Sequence, residues 1–486
     1  MASKDIKGYS FIDVSVIPTS QWAGDMLIIP TPYSEEAESG GPGKQVGDMV
    51  LMETEEGQRQ LRLSLGQESA LDPESVRRAG GATARWLSAH NISFAAIQTD
   101  NLLKLGFEDS LSAFTQGMLL GAFRFNEHKS EGADSPNIEV NYLADDQAKA
   151  RDIGHAVSRD MAIVDGVNLA RAIAHQPPNI INPSTLAGRA CALAESSDLI
   201  CNVLGEKELA EMGAGSIRSV GLGSNTPSQM IILEYPGHGD AIGSSPVVLV
   251  GKAITFDTGG YSLKTKAAIV GMKYDKCGGA AVLGIMQAVA ALGLSVPVVG
   301  IIAAAENMIS ADAYRPNDII TTLSGKTVEI ISTDAEGRLV LCDSLTYAQR
   351  HYQPRVMIDL ATLTSGIVTA LGNVRAGLFS NNEVLVEALF NSGERTHERL
   401  WRMPLDGDYF ELIRGDDSDL RNSTGLTTAS PIVGGIFLKQ FVSDDTPWAH
   451  IDIAGVAKAK VDLPYCPKGA TGFGVRLLVD YLSGLA

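Results

Sequence analysis

Residues 247–260 read Val-Val-Leu-Val-Gly-Lys-Ala-Ile-Thr-Phe-Asp-Thr-Gly-Gly. The run 247–250 is short and continuously apolar, the pattern of a strand buried on both faces. Lys252 and Asp257 follow it, and a Gly-Gly turn closes the segment. Similar apolar runs recur at 230–235, 296–304, 356–360 and 449–453, separated by helical patterns at 280–292, 339–350, 432–441 and 475–485. Strand–helix alternation of this kind predicts an α/β fold with a central, mostly parallel sheet flanked by helices. Ligands bind such sheets beyond the carboxyl ends of the strands. Chemistry is therefore expected in the segments just after these runs.

Upstream the pattern changes. Residues 1–157 carry strand-like runs at 11–18, 25–30, 48–53 and 92–98, and helical patterns at 73–90 and 111–128. A loop rich in Ser, Gly, Asp and Pro follows at 129–137. This region is expected to be a smaller N-terminal α/β domain, and it holds no catalytic motif. A helical stretch over 154–175 stops at Gln176-Pro177-Pro178, because paired prolines cannot continue a helix. Residues 158–175 are read as the connecting helix and 176–486 as the larger C-terminal catalytic domain.

Composition bounds the function. The chain has 486 residues, 45% apolar and 20% charged, enough to bury a large core rather than remain disordered. With 39 Lys+Arg against 57 Asp+Glu, the net charge is -18, which argues against a nucleic-acid-binding surface. The five cysteines form no C-x-x-C pair, so unpaired thiols in a reducing compartment are expected, with neither a disulfide framework nor a zinc–thiolate site. No H-E-x-x-H motif occurs among the eight histidines. Residues 1–7 lack the apolar core of a signal peptide, and the longest apolar stretch, 296–305, is too short to span a bilayer. A cytoplasmic protein without membrane partners is expected.

Two acidic segments stand out. Met272-Lys273-Tyr274-Asp275 opens an apolar helix, where Asp275 on its own reads as a helix cap. Asp257 on its own reads as a turn carboxylate. Ser332-Thr333-Asp334-Ala335-Glu336-Gly337-Arg338-Leu339 follows a β-rich run. Asp334 and Glu336 share a face if extended, and read as a capping segment if they open the next helix. Together, Asp257, Asp275, Asp334 and Glu336 flank strands of one sheet. Converging carboxylates repel strongly in a pocket of low dielectric unless a cation neutralises them. A pair of divalent metals ~3.5–4 Å apart does so. Oxygen-rich ligation suits zinc, manganese or magnesium.

The stretch 250–279 and the run 333–339 resemble the leucyl aminopeptidase (cytosol aminopeptidase) family of dinuclear metallopeptidases. The family motif N-T-D-A-E-G-R-L reads S-T-D-A-E-G-R-L here, with Ser332 in place of Asn. Glu306-Asn307-Met308, Asp359 to Thr364 and Trp448 to Asp452 extend the likeness over nearly all of 160–486. The resemblance implies five metal ligands, Lys252, Asp257, Asp275, Asp334 and Glu336, with Asp257 and Glu336 bridging two ions. It implies Lys264 and Arg338 as the catalytic pair, Arg338 holding a bicarbonate ion. Met272, Thr362 and Leu363 would line the substrate pocket. The implied reaction removes N-terminal residues, leucine and other apolar ones, from peptides through a hydroxide activated by two metals. The implied assembly is a homohexamer. Lys276, where the family commonly has Met, is expected to shift the electrostatics of the nearby metal site. The alternatives are a DNA-binding accessory role, which the charge opposes, and a catalytically silent structural paralogue, which the complete set of charged positions opposes.

Overall fold

The computed structural model describes residues 9–24, 26–34, 41–107, 109–130 and 137–485. Residues 1–7, Asp25 and most of the 129–137 loop lie outside the described residues. The chain divides into two compact units, one of residues 4–168 with 459–468, the other of 169–458 with 469–486. The helix read over 154–175 begins earlier, at Gln147, and runs to His175, so the division falls inside it.

The N-terminal unit holds a six-stranded sheet made of β1 (Ile12–Pro18), β2 (Met26–Tyr33), β3 (Met49–Glu53), β4 (Arg59–Gln67), β5 (Phe94–Ile97) and β6 (Ile138–Ala144). Its order is β1-β6-β5-β2-β4-β3, parallel except for the β3–β4 edge pair. Helix Pro73–Ala89 starts at an Asp72 capping box with Pro at its first turn. It meets helix Ser110–Gly121 backbone to backbone. A Cβ on Gly80 would lie 2.2 Å from the Phe114 carbonyl, and one on Gly117 would lie 1.9 Å from that of Arg77, so only glycine permits this approach. The second helix ends at Gly121, short of the expected 128.

The larger unit is built on β7 (Ile200–Leu204), β8 (Gln229–Tyr235), β9 (Val247–Asp257), β10 (Val298–Asn307), β11 (Ile319–Thr321), β12 (Thr327–Glu329), β13 (Val356–Ala361), β14 (Ala376–Ser380), β15 (Leu400–Arg402), β16 (Leu420–Arg421) and β17 (Trp448–Asp452). Eight of these form one sheet, ordered β15-β14-β17-β13-β9-β10-β8-β7. The inner four, β17-β13-β9-β10, are parallel, while β7–β8, β8–β10 and β14–β17 pair antiparallel. A small sheet, β11-β12-β16, stands apart. β9 outruns its apolar start. It continues past Gly251 and Lys252 as far as Asp257, so both charged residues sit on the strand rather than in a following loop.

Helix Cys277–Leu292 lies on this sheet with 12 buried residues. Its glycines let it press against the strands: a Cβ on Gly278 would stand 2.1 Å from the Leu360 carbonyl. The stretch Met272–Leu292 is long and apolar enough to cross a membrane by composition, but 78% of its apolar window is buried, as in a core helix.

One cysteine expectation is corrected. Cys191, on helix Pro183–Glu195, and Cys201, on edge strand β7, form a disulfide with Cα atoms 5.2 Å apart. Helix and strand lie side by side, a proximity that the ten-residue spacing does not reveal. Cys277, Cys342 and Cys466 are free and buried.

Candidate active site

The charged residues singled out by sequence converge at the carboxyl end of the parallel strands. Lys252 leaves β9 with 2% exposure. Its Nζ lies 2.9 Å from Glu336 Oε1 and 2.9 Å from Asp275 Oδ2, and donates to the Thr362 carbonyl at 2.9 Å. Lys264, from the loop after β9, lies 2.7 Å from Asp257 Oδ2 and also donates to Asp334 Oδ1. The two lysines are thus threaded between four carboxylates.

Other groups fix the acids in place. Asp257 Oδ1 accepts the Gly259 N–H and the Asn307 amide, each at 2.8 Å. Thr362 Oγ1 donates to Asp275 Oδ1 at 2.7 Å. Asn307 and Tyr314 donate to the Thr333 carbonyl at 3.0 and 2.7 Å, and the Thr333 hydroxyl donates to the Gly259 carbonyl at 2.6 Å. These bonds lash the 332–336 loop to the end of β9. Opposite, Asp452 at the end of β17 accepts the Leu363 N–H at 3.1 Å and the Thr364 hydroxyl at 2.7 Å. That holds the loop after β13, which presents Thr362 to both Lys252 and Asp275.

Burial sets the electrostatics. Loss of hydration, reinforced by Glu336 and Asp275, pushes Asp257 up to about 8. Burial likewise raises Asp275 to about 6, against the pull of Lys252. Asp334 is raised by burial and by Glu336. Glu336 is the exception: burial works to raise it, but Lys252 and Lys264 hold it below its usual range. Burial works to lower both lysines, and the surrounding carboxylates outweigh it and keep them protonated. In the protein's own field Lys252 is therefore a cation. The neutral amine that metal ligation requires needs an added positive charge nearby.

The donor set fits divalent cations. Carboxylate oxygens of Asp257, Asp334 and Glu336 lie within 4.8 Å of one another. Glu336 Oε2 is buried with no hydrogen-bond partner, and Asp275 Oδ2 meets only the Lys252 ion pair. Buried anionic oxygens without a hydrogen bond are costly unless a cation meets them.

Arg338 stands slightly apart. It is buried in the first turn of helix Gly337–Tyr352, its Nη1 donating to the Asn422 carbonyl at 2.7 Å. Burial lowers it to about 10, partly opposed by Glu336 and Asp452. Met272 is half-buried at the start of the turn Met272–Lys276, and Leu363 packs against the main core. Lys276 is fully buried, but its amine is turned to the Gln176 carbonyl, at 3.0 Å, and to that of Lys273. Together with Lys273, which donates to the His175 carbonyl at 2.6 Å, it caps the end of helix Gln147–His175. Burial pulls Lys276 down to about 7.

Sequence reasoning missed Asn422 and the depth of Asp452, since neither belongs to a charged motif. A cleft of about 420 Å³ that includes Ser380, Arg402 and Lys439 holds none of the site residues. Ser380 pairs with Ala449 at the start of β17, so this cleft lies at the opposite end of the sheet from Asp452.

The fold and the sequence both have counterparts among known proteins. Bottromycin maturation enzyme BotP, in a structure in complex with Mn, superposes with a TM-score of 0.87 at 31% identity, over 95% of this chain and 100% of that one. A probable cytosol aminopeptidase of Geotalea uraniireducens is 43% identical over 435 residues, covering 88% of this chain and 86% of the relative. One of Cenarchaeum symbiosum is 41% identical over 433 residues, with 88% and 86% coverage. The N-terminal domain profile of the cytosol aminopeptidase family matches residues 42–132, and its catalytic domain profile matches 168–479, which spans every charged residue of the site. On sequence, fold and domain order alike, the chain belongs to the cytosol aminopeptidase family, and so to the aminopeptidases among the hydrolases.

Proposed function

We propose that this chain is a two-metal aminopeptidase that removes leucine and other apolar residues from the N-termini of peptides. The observation that carries the reading is the interleaving of Lys252 and Lys264 with four carboxylates, two of which keep buried oxygens without a hydrogen bond. Lys252, Asp257, Asp275, Asp334 and Glu336 would hold the ions, zinc or manganese, with magnesium as a further candidate, and Asp257 and Glu336 would be shared. Bound there, the ions supply Lewis-acid polarisation of a carbonyl and a lowered water pKa.

The chain's own groups do the rest. Lys264 is protonated and poised beside Asp257 and Asp334, so it can donate to an oxyanion developing on the scissile carbonyl. Arg338, with only Nη1 tied to Asn422 among its described bonds, offers its remaining donors to a small anion such as bicarbonate, which would carry protons. Asp275 offers an acceptor to the substrate's free α-amine. An internal peptide bond lacks that amine, which restricts cleavage to the N-terminus. Met272, Thr362 and Leu363 would line the side-chain pocket. A cytoplasmic homohexamer completes the proposal; the names of the relatives speak to the cytosol alone.

The test is hydrolysis of leucine-p-nitroanilide by protein reconstituted with Mn²⁺ or Zn²⁺. Wild type should be active and Asp334→Ala inactive, and the Nα-acetylated substrate should resist. A folded wild type inert in every metal would sink the enzyme reading. An Asp334→Ala variant as active as wild type would sink the ligand set.

A further inference from the structure

Asn422 has 0% exposure, and its amide is engaged on both sides. Its Oδ1 accepts the Ile331 N–H at 2.8 Å and the Ser332 N–H at 3.3 Å, and its Nδ2 donates to the Ser332 carbonyl at 2.6 Å. One side chain thus pairs with the 331–332 backbone much as a neighbouring strand would. At the same time its main-chain carbonyl accepts Arg338 Nη1 at 2.7 Å, and its N–H donates to the Glu329 carbonyl at 2.9 Å. Asp334 and Glu336 lie between the two anchored points. The small sheet frames the arrangement: β16 runs parallel to β12 directly ahead of Asn422, and Ser332 Oγ accepts the Asp334 N–H at 3.2 Å.

Resting on the aminopeptidase reading, we propose that Asn422 is a positioning residue that keeps the Arg338 guanidinium in register with the 332–336 loop. The bond from Nη1 fixes one edge of the guanidinium, while Nε is buried and makes no hydrogen bond. The direction of Arg338 is therefore sensitive to where the residue 422 carbonyl sits. That carbonyl is held in turn by the side-chain clamp on 331–332. Without the amide, the Ile331 and Ser332 N–H groups lose their partner, and the Ser332 carbonyl keeps only the Ala335 N–H at 3.3 Å. The residue 422 carbonyl then moves independently of the loop it must stay aligned with. Ser332, where the family has Asn, hands both of its main-chain groups to this clamp, so the local variation leaves the clamp intact.

The experiment combines Asn422→Ala and Asn422→Asp with Arg338→Ala in a double-mutant cycle on the metal-reconstituted full chain. The Asp variant keeps Oδ1 for Ile331 and Ser332 but sets an oxygen against the Ser332 carbonyl, and it serves if the Ala variant fails to fold. In the Arg338 wild-type background, kcat should fall ~10–100-fold, with KM changed by less than about threefold. In the Arg338→Ala background the Asn422 substitutions should cost nothing further. Independently of turnover, hydrogen exchange at the Ile331 and Ser332 amides should accelerate strongly in Asn422→Ala, which removes their acceptor, and less in Asn422→Asp, which keeps it but repels the Ser332 carbonyl. Equal losses in the two backgrounds, a rise in KM with kcat intact, or unchanged exchange at 331–332 would each overturn the role. A wild type that hydrolyses nothing overturns the aminopeptidase reading and takes the role with it. An active wild type with additive losses overturns the positioning role alone.

Discussion

Both units place a lysine between two acids at the carboxyl ends of parallel strands, and the two arrangements behave differently. In the N-terminal unit, Lys149 pairs with Asp100, just beyond β5, and with Asp145, one residue beyond β6, at 3.5 Å. Asp145 also accepts the Thr19 hydroxyl at 2.9 Å. In the larger unit, Lys252 sits between Asp275 and Glu336. The acids are 32% and 62% exposed in the first case, 8% and 3% in the second. In water the bond from Thr19 and the charge of Lys149 simply lower Asp145, as in an ordinary surface ion pair. Out of water, dehydration pushes Asp275 up despite Lys252, Glu336 stays low only because Lys252 and Lys264 hold it there, and the acids keep Lys252 protonated. The constellation alone does not raise an acid; burial does.

Substitution of the lysines would expose this difference most sharply in turnover. Lys264→Ala is expected to lower kcat ~10²–10³-fold, while Lys149→Ala leaves it unchanged. Parallel steady-state assays decide, and comparable losses would break the contrast. In chelator-treated protein, Lys252→Met should cost ~3–5 kcal/mol, because it strands buried carboxylates. Lys149→Met should cost under about 1 kcal/mol. Urea unfolding read separately for each unit measures both.

A third test isolates burial without a lysine at hydrogen-bonding distance. Asp160, fully buried in the N-terminal unit, accepts the Gln116 amide at 2.8 Å and is raised by burial to about 6. The folded unit thus holds a proton that the unfolded chain releases near pH 4. Its contribution to stability is complete below that pH and is lost as pH rises through about 6. The change is on the order of 3 kcal/mol, since each pKa unit is worth about 1.4 kcal/mol. Asp160→Asn should flatten the pH dependence of the unfolding midpoint between pH 4 and 7, and an unaltered slope would show that burial alone does not raise this acid.

The sequence made the inner sheet legible because β9, β10, β13 and β17 are buried on both faces and read as near-continuous apolar runs interrupted by few polar residues. β14 and β15 escaped notice: one is only five residues long, the other three with two exposed. The acids and lysines of the site were legible as short dense motifs. What was not legible was who holds them. Asn422 acts on residues 331 and 332 from 91 and 90 positions away, out of a segment with no periodicity. The Cys191–Cys201 bond was hidden for a similar reason, since pairing depends on two elements packing together. Lys276 was read by its charge, whereas its amine is spent on the carbonyl ends of a helix.

The return of residues 459–468 to the N-terminal unit bears on how the chain is made. There the Arg85 guanidinium donates to the Leu463 carbonyl at 2.8 Å, the Tyr465 hydroxyl donates to Glu74 at 3.1 Å, and Gly81 leaves room for Pro464. At ~5–20 residues per second, a ribosome needs roughly 15–60 s to travel from the end of the unit's first segment to the start of its second. The unit that is synthesised first is therefore finished nearly last. In the meantime the nascent helix Pro73–Ala89 carries a vacant berth, to be filled by the tail of its own chain or guarded by a chaperone. A stop codon anywhere before residue 459 would damage the beginning of the molecule as surely as its end.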